Sequence, residues 1–215
     1  MVSRSVIFWD VDTQVDFMLP RGKLHVPGAE RCIPNMKRLT DAAREGRVFI
    51  IGDIDTHAPD DPEFERFPPH CIRGTPGAEP IPETRADKVL VIPNRTDAVV
   101  PQDLSAYQQI ILEKQTLNVF DNPNAETVLK LVARFTDADA EFCIFGVATE
   151  YCVRLAARGL LERNRRVALI RDAMESFRPD NGQKSIEELT SLGARLITTD
   201  QALAALGRHR FHRRN

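Results

Sequence analysis

The stretch EFCIFGVATEYCVRLAARGLLERN, residues 141–164, decides how the rest of the chain is read. Its opening is a nearly unbroken apolar run, the pattern of a strand buried on both faces. The continuation carries apolar side chains at helical spacing. A strand that passes directly into a helix is the repeating unit of a parallel sheet, and a thiol, Cys152, stands at this junction.

The same alternation recurs outward in both directions. Apolar, β-branched runs occupy 5–11, 47–53, 109–114, 141–147, 166–172 and 194–200. Helical patterns lie between them at 29–46, 124–138, 149–164 and 182–193, with Gly46 and Gly193 where helix C-caps belong. The expected fold is α/β, with three α/β/α layers around a six-stranded, mainly parallel sheet. Residues from about 55 to 88 break the rhythm. They are rich in Pro, Asp, Glu and Gly without a clear period, and a long irregular insertion in a compact domain is usually functional or disordered.

Composition limits what the thiol can be. At 215 residues, 42% hydrophobic, the chain suits one domain spanning 1–215. A net charge of -2 and a pI near 6.2 give no footprint for nucleic acid. The basic end RHRFHRRN, 208–215, reads as a solvated terminus. No apolar run is long enough to cross a bilayer, and the first residues reach acidic side chains before a signal-peptide core develops, so the expected location is cytoplasmic. Cys32, Cys71, Cys143 and Cys152 form no CxxC pair and are expected as free thiols. A homo-oligomer is compatible with this composition.

In open parallel sheets ligands bind beyond the carboxyl ends of the strands. Asp12 follows the first run, Asp53 and Asp55 the second, Lys114 ends the third, and Cys152 starts the helix after the fourth. Singly, each has an ordinary reading: a packed cysteine, a solvated lysine, a capping or turn aspartate. Together they suggest acyl transfer. A helix N-terminus and the Lys114 ammonium would favour the thiolate, Asp12 could exchange the proton, and amides around Ala148 and Cys152 could hold an oxyanion. Asp53 has two readings, a supporting partner behind Asp55 or a strand-end turn residue, of which the turn is favoured. In the insertion, Asp55, His57, Glu63 and His70 offer imidazole nitrogens and carboxylate oxygens to one divalent ion, with zinc, iron or manganese suiting this donor set. The ordinary reading is a solvated polar loop.

These residues also carry a family resemblance. DVDTQVDF (10–17), with Asp12, Gln14, Asp16 and Phe17, resembles the opening D-x-Q-x-D-F motif of the isochorismatase-like cysteine hydrolases. GVATEYCVR (146–154) is similar to that family's G-V-x-T-x-x-C-V nucleophile motif, and Lys114 in LEKQTLNVF (112–120) stands where the family keeps a catalytic lysine. The resemblance implies a Rossmann-like fold, Cys152 as nucleophile, Asp12 as proton shuttle, and Lys114 as the charge supporting the thiolate. It also implies an oxyanion hole at Ala148 and Cys152, with a cis peptide between Val147 and Ala148.

Within that family, DTHAPDDPEFERFPPHCIRGTPGAE (55–79) resembles the metal-binding segment of nicotinamidases. This implies Asp55, His57, Glu63 and His70 as ligands of one metal ion, zinc foremost, with the metal holding the pyridine nitrogen of nicotinamide. Phe17, Phe67, Val147 and Ala148 are then the expected substrate contacts. Phe67 is a departure, because many nicotinamidases carry Trp before P-P-H-C. Two alternatives stand: another small amide or ureido acid as substrate, or a non-catalytic binding module. Cys71 reads as packing because neighbours on extended backbone point oppositely, and Asp16 reads as a loop-orienting residue.

Overall fold

The computed structural model describes residues 5–137 and 139–206. The basic segment 208–215, with His209 and His212, lies outside them. Strands β1 (Val6–Val11), β2 (Phe49–Asp55), β3 (Val89–Ile92), β4 (Gln109–Lys114), β5 (Glu141–Gly146), β6 (Arg166–Met174) and β7 (Arg195–Ile197) form one sheet in the order β3-β4-β2-β1-β5-β6-β7. Every adjacent pair is parallel.

The sheet therefore has seven strands, one more than the apolar runs predict. The additional strand is β3, a four-residue edge strand directly after the irregular insertion. Val89 and Leu90 are only half-buried and Val91 is exposed, so its sequence lacks the long run that marks the central strands. By contrast, every residue of β1, β4 and β5 is buried.

Trp9 and Phe8 alternate to opposite sides of β1 and centre two separate cores. The Trp9 side packs under α3 (Ala125–Val132), α4 (Arg154–Glu162) and α5 (Pro179–Ser191), which contribute Leu129, Leu160 and Leu189. The Phe8 side packs under α2 (Ile33–Arg44) and α6 (Thr199–Ala205), through Met36, Leu39 and Ala202. A short α1 (Val15–Met18) follows β1, and Gly46 and Gly193 follow α2 and α5 as predicted. The α6 start, with a reciprocal Thr198–Gln201 capping box, was not evident in the helical patterns.

Chain order places a switch point beside β1, because the chain leaves β1 for β2 on one side and later returns to β5 on the other. The carboxyl ends of β1 and β5 thus open on one crevice. At its floor Gly146 has φ +123°, and a Cβ there would stand 2.0 Å from Val11 O. Only glycine permits that approach.

Candidate active site

Each charged group of the site is delivered by a strand end. Register aligns Asp55 of β2 directly with Lys114 of β4, and both share the Trp9 face of the sheet. Asp12 sits one residue beyond β1 with φ +49°, a conformation few non-glycine residues adopt, and its N-H donates to Asp53 O at 3.1 Å. Cys152 falls in a π-helical turn, Thr149–Val153, that precedes α4, so the predicted single helix is widened at the thiol. The Val147–Ala148 peptide is cis.

Lys114 is fully buried and joins these groups. Its Nζ donates to Asp12 Oδ2 at 2.9 Å and to Asp55 Oδ1, lies 3.6 Å from Cys152 Sγ, and stands 3.9 Å from Asp53 Oδ1. The Cys152 sulfur and one carboxylate oxygen each from Asp12 and Asp55 lie within 4.8 Å of one another. Burial works against the lysine's charge, but Asp12 and Asp55 outweigh it and hold the ammonium well above its ordinary pKa.

The thiol departs from expectation. Burial first, and then the negative charge of Asp12, push Cys152 well above a free cysteine, while Lys114 only partly offsets them. Burial and the neighbouring Asp55 likewise raise Asp12, against the lowering effect of Lys114. The arrangement therefore pairs a protonated thiol with a more basic carboxylate. Asp53 also differs from its reading as a turn residue: it lies within β2, buried, with Oδ2 accepting from Trp9 Nε1 at 2.7 Å. Burial raises its carboxyl to about 7, with Lys114 and Trp9 opposing.

The insertion brings Asp55, His57, Glu63 and His70 together, with one donor atom from each within 4.8 Å of the others. Asp55 Oδ2 lies 3.7 Å from His57 Nε2 and 3.6 Å from His70 Nε2. His70 Nδ1 donates to Pro68 O at 2.8 Å, which leaves Nε2 for a metal. His57 is fully buried, and neither ring nitrogen makes an aligned hydrogen bond, although Asp61 Oδ2 lies 3.0 Å from Nδ1. A buried imidazole with an orphaned nitrogen beside two carboxylates and a second imidazole fits a divalent cation. Burial tends to raise Asp55, yet Lys114, His57 and His70 hold its carboxyl well below the usual range, as a ligand requires. Glu63, half-buried, is raised by burial and by Asp55.

Between the Cys152 thiol and the tetrad lies a narrow cavity. Phe17, Phe67 and Ala148 line it, together with Leu24, Leu117, Tyr151 and Phe177. Val147 does not; it is wholly buried in the core behind. Tyr151 meets Phe67 and Phe177 edge to face, with centroids 5.8 and 6.1 Å apart. Sequence reasoning missed these four walls. Tyr151 could have been suspected from its place beside Cys152, and Leu117 from its place three residues after Lys114. Leu24 and Phe177 reach the cavity only through loop folding. Among the described residues no arginine or lysine lines this cavity. Cys32, Cys71 and Cys143 are buried and free, and burial pushes Cys32 to about 11 and Cys143 to about 12. A larger groove, about 440 Å³, opens at the amino ends of the strands beside Lys88, Tyr107 and Arg134, away from all these groups.

Comparison with known proteins gives one family and several relatives. The isochorismatase domain family matches residues 7–201. The nicotinamidase of Escherichia coli (strain K12) is 23% identical over 210 residues, covering 87% of this chain and 92% of that protein. The pyrazinamidase of Pyrococcus horikoshii, solved in complex with zinc, superposes with a TM-score of 0.71 at 26% identity, over 90% of this chain and 99% of that one. The N-carbamoylsarcosine amidase of Thermoplasma acidophilum superposes with a TM-score of 0.69 at 23% identity, over 91% and 97%. Relatives whose names give different substrates thus share this fold, and the substrate must be argued from the cavity.

Proposed function

The chain belongs to the isochorismatase domain family, and from that premise we propose that it is a metal-dependent cysteine amidohydrolase converting nicotinamide, and also pyrazinamide, to the acid and ammonia. One observation carries the reading: a metal-donor tetrad and a buried thiol meet at an aromatic cavity that, among the described residues, no arginine or lysine lines. The carboxylate of a ureido acid or amic acid would therefore have only the metal ion to receive it, beside Asp12, Asp55 and Glu63. A neutral, planar amide incurs no such cost and gains contact with Phe17 and Phe67. A non-catalytic binding module would not require Asp12, Lys114 and Cys152 to converge.

Asp55, His57, Glu63 and His70 would hold the ion, zinc foremost, with iron or manganese as alternatives. When bound, that ion would supply a Lewis acid for the pyridine nitrogen. The Cys152 sulfur attacks the carboxamide carbon as Asp12 accepts the thiol proton, and the oxyanion is held by the N-H groups of Ala148 and Cys152. Asp12 then protonates the departing nitrogen and ammonia leaves a Cys152 thioester. Water attacks the thioester, Asp12 accepts its proton, and the proton returns to the sulfur as nicotinate departs. Lys114 holds Asp12 in line and offsets its charge. Such an activity belongs to cytoplasmic NAD salvage.

Ammonia release from nicotinamide by the purified protein, before and after chelation, tests the reading. Activity lost with the chelator and restored by zinc is expected. Cys152→Ala should lose on the order of 10³-fold or more in kcat while still binding metal. A folded, metal-loaded protein that releases no ammonia would reject nicotinamide, and a Cys152→Ala variant with normal turnover would reject the nucleophile.

A further inference from the structure

Two buried side chains of the segment after β1 have no part in the chemistry above, and both reach the backbone of the metal-binding insertion. Gln14 is fully buried. Its Oε1 accepts the Asp55 N-H at 2.8 Å, while its Nε2 donates to Asp55 O and to Ala78 O, both at 2.7 Å. One side-chain amide thus grips both backbone groups of Asp55 and, with the same nitrogen, the far end of the insertion. Backbone pairing continues the seam, through Val15 N to Glu79 O at 2.9 Å and Ile81 N to Thr13 O at 2.9 Å.

Asp16 grips the middle. Its Oδ2 accepts from Cys71 N at 2.8 Å, and its Oδ1 from Lys23 N at 3.0 Å. Cys71 directly follows His70, so this bond fixes the peptide that carries the second imidazole. Gly77 makes room for it, since a Cβ there would fall 2.3 Å from the Asp16 carboxylate.

We infer that Gln14 and Asp16 are positioning residues for the metal centre, holding Asp55 and His70 at the spacing that binds a divalent cation. Hydrogen bonds of 2.7–3.0 Å at buried or part-buried atoms have strongly restricted geometry. Irregular loops otherwise leave ligand spacing loose, and groups that orient ligands from behind typically govern metal affinity by 10–100-fold. The inference rests on the tetrad holding a metal, and is independent of which amide is hydrolysed.

The test is zinc affinity of the metal-free protein, read by competition with a chromophoric chelator, with far-UV circular dichroism to verify folding. Gln14→Met conserves volume and removes all three bonds, and zinc binding is expected to weaken about 10–100-fold. Gln109→Met is the control, because Gln109 makes comparable buried bonds to Ala86 N and Thr84 O without touching a ligand; its zinc affinity should stay within about twofold of the parent. Asp16→Asn provides the second variant should Gln14→Met not fold, with the same expected loss. The inference is overturned if the folded variant binds zinc as the parent does, or if Gln109→Met weakens zinc equally, which would mark a general loss of stability. A parent protein that takes no zinc overturns it together with the metal reading. A parent that binds zinc but leaves nicotinamide intact removes only the substrate assignment.

Discussion

The two ends of the sheet treat carboxylates in opposite ways. At the amino end of β5, Glu141 accepts a two-pronged pair from Arg195 at 3.0 and 2.8 Å and a third contact from Arg166 at 3.3 Å. The Arg195 and Arg166 side chains are 58% and 38% exposed, so water screens the pairing from the arginine side although Glu141 itself is buried, and the three side chains stitch β5, β6 and β7 together. At the carboxyl end, Asp12, Asp53 and Asp55 share one lysine that is 0% exposed. Without solvent to absorb the charge, the protons redistribute: Asp12 and Cys152 are raised and Asp55 is lowered. The carboxylates are buried at both ends, and the difference is that the partner cation is exposed at one and buried at the other.

Substitution of the cations would sharpen or break this contrast. Lys114→Met strands Asp12 and Asp55 in the interior, and the metal-free protein is expected to lose about 3–5 kcal/mol in denaturant unfolding. A loss near 1 kcal/mol would mean that the cluster is as well screened as the Glu141 pairing. Arg195→Met removes the better-aligned partner of Glu141, yet the expected cost is about 1 kcal/mol or less because the Arg195 side chain is mostly exposed and Arg166 still pairs with Glu141. Equal midpoint shifts for the two variants would dissolve the distinction.

The smallest effect is a matter of pH. Arg154 opens α4 and pairs with Glu188 of α5 at 2.6 and 2.9 Å, which lowers the Glu188 carboxyl. A carboxylate depressed in the folded state contributes stability above its unfolded pKa of about 4.3 and loses it as pH falls through the folded value. Arg154→Ala should therefore cost a fraction of a kcal/mol at pH 7, shrinking toward zero near pH 2, as read by paired thermal melts. A cost that persists at acid pH would assign the pair to packing of the arginine stem.

Much of the scaffold was legible because central strands must bury both faces. Six apolar runs marked six strands, and the strand-to-helix junction at Cys152 marked the edge where reactive groups gather. β3 was not legible, since an edge strand half open to water needs no apolar run. Asp53 was misread for a related reason: a carboxylate near a strand end suggests a turn, and only the depth of β2, with Trp9 beside it, shows a buried acid. The thiol's proton state was also beyond the sequence. Motif spacing brings ammonium and helix start near Cys152, but the balance depends on burial and on the distance to Asp12.

The sequence by itself determined the α/β alternation, the strand ends that deliver Asp12, Asp55, Lys114 and Cys152, and the residue types of the metal tetrad. Periodicity and donor chemistry are local properties, readable without coordinates. Tertiary structure alone decided that Glu63 and His70 fold back within 4.8 Å of Asp55 and His57, that Leu24, Leu117, Tyr151 and Phe177 wall the cavity, and that Gln14 and Asp16 clasp the insertion. Those contacts join residues far apart in the chain across irregular backbone, where no period records which side chain faces which.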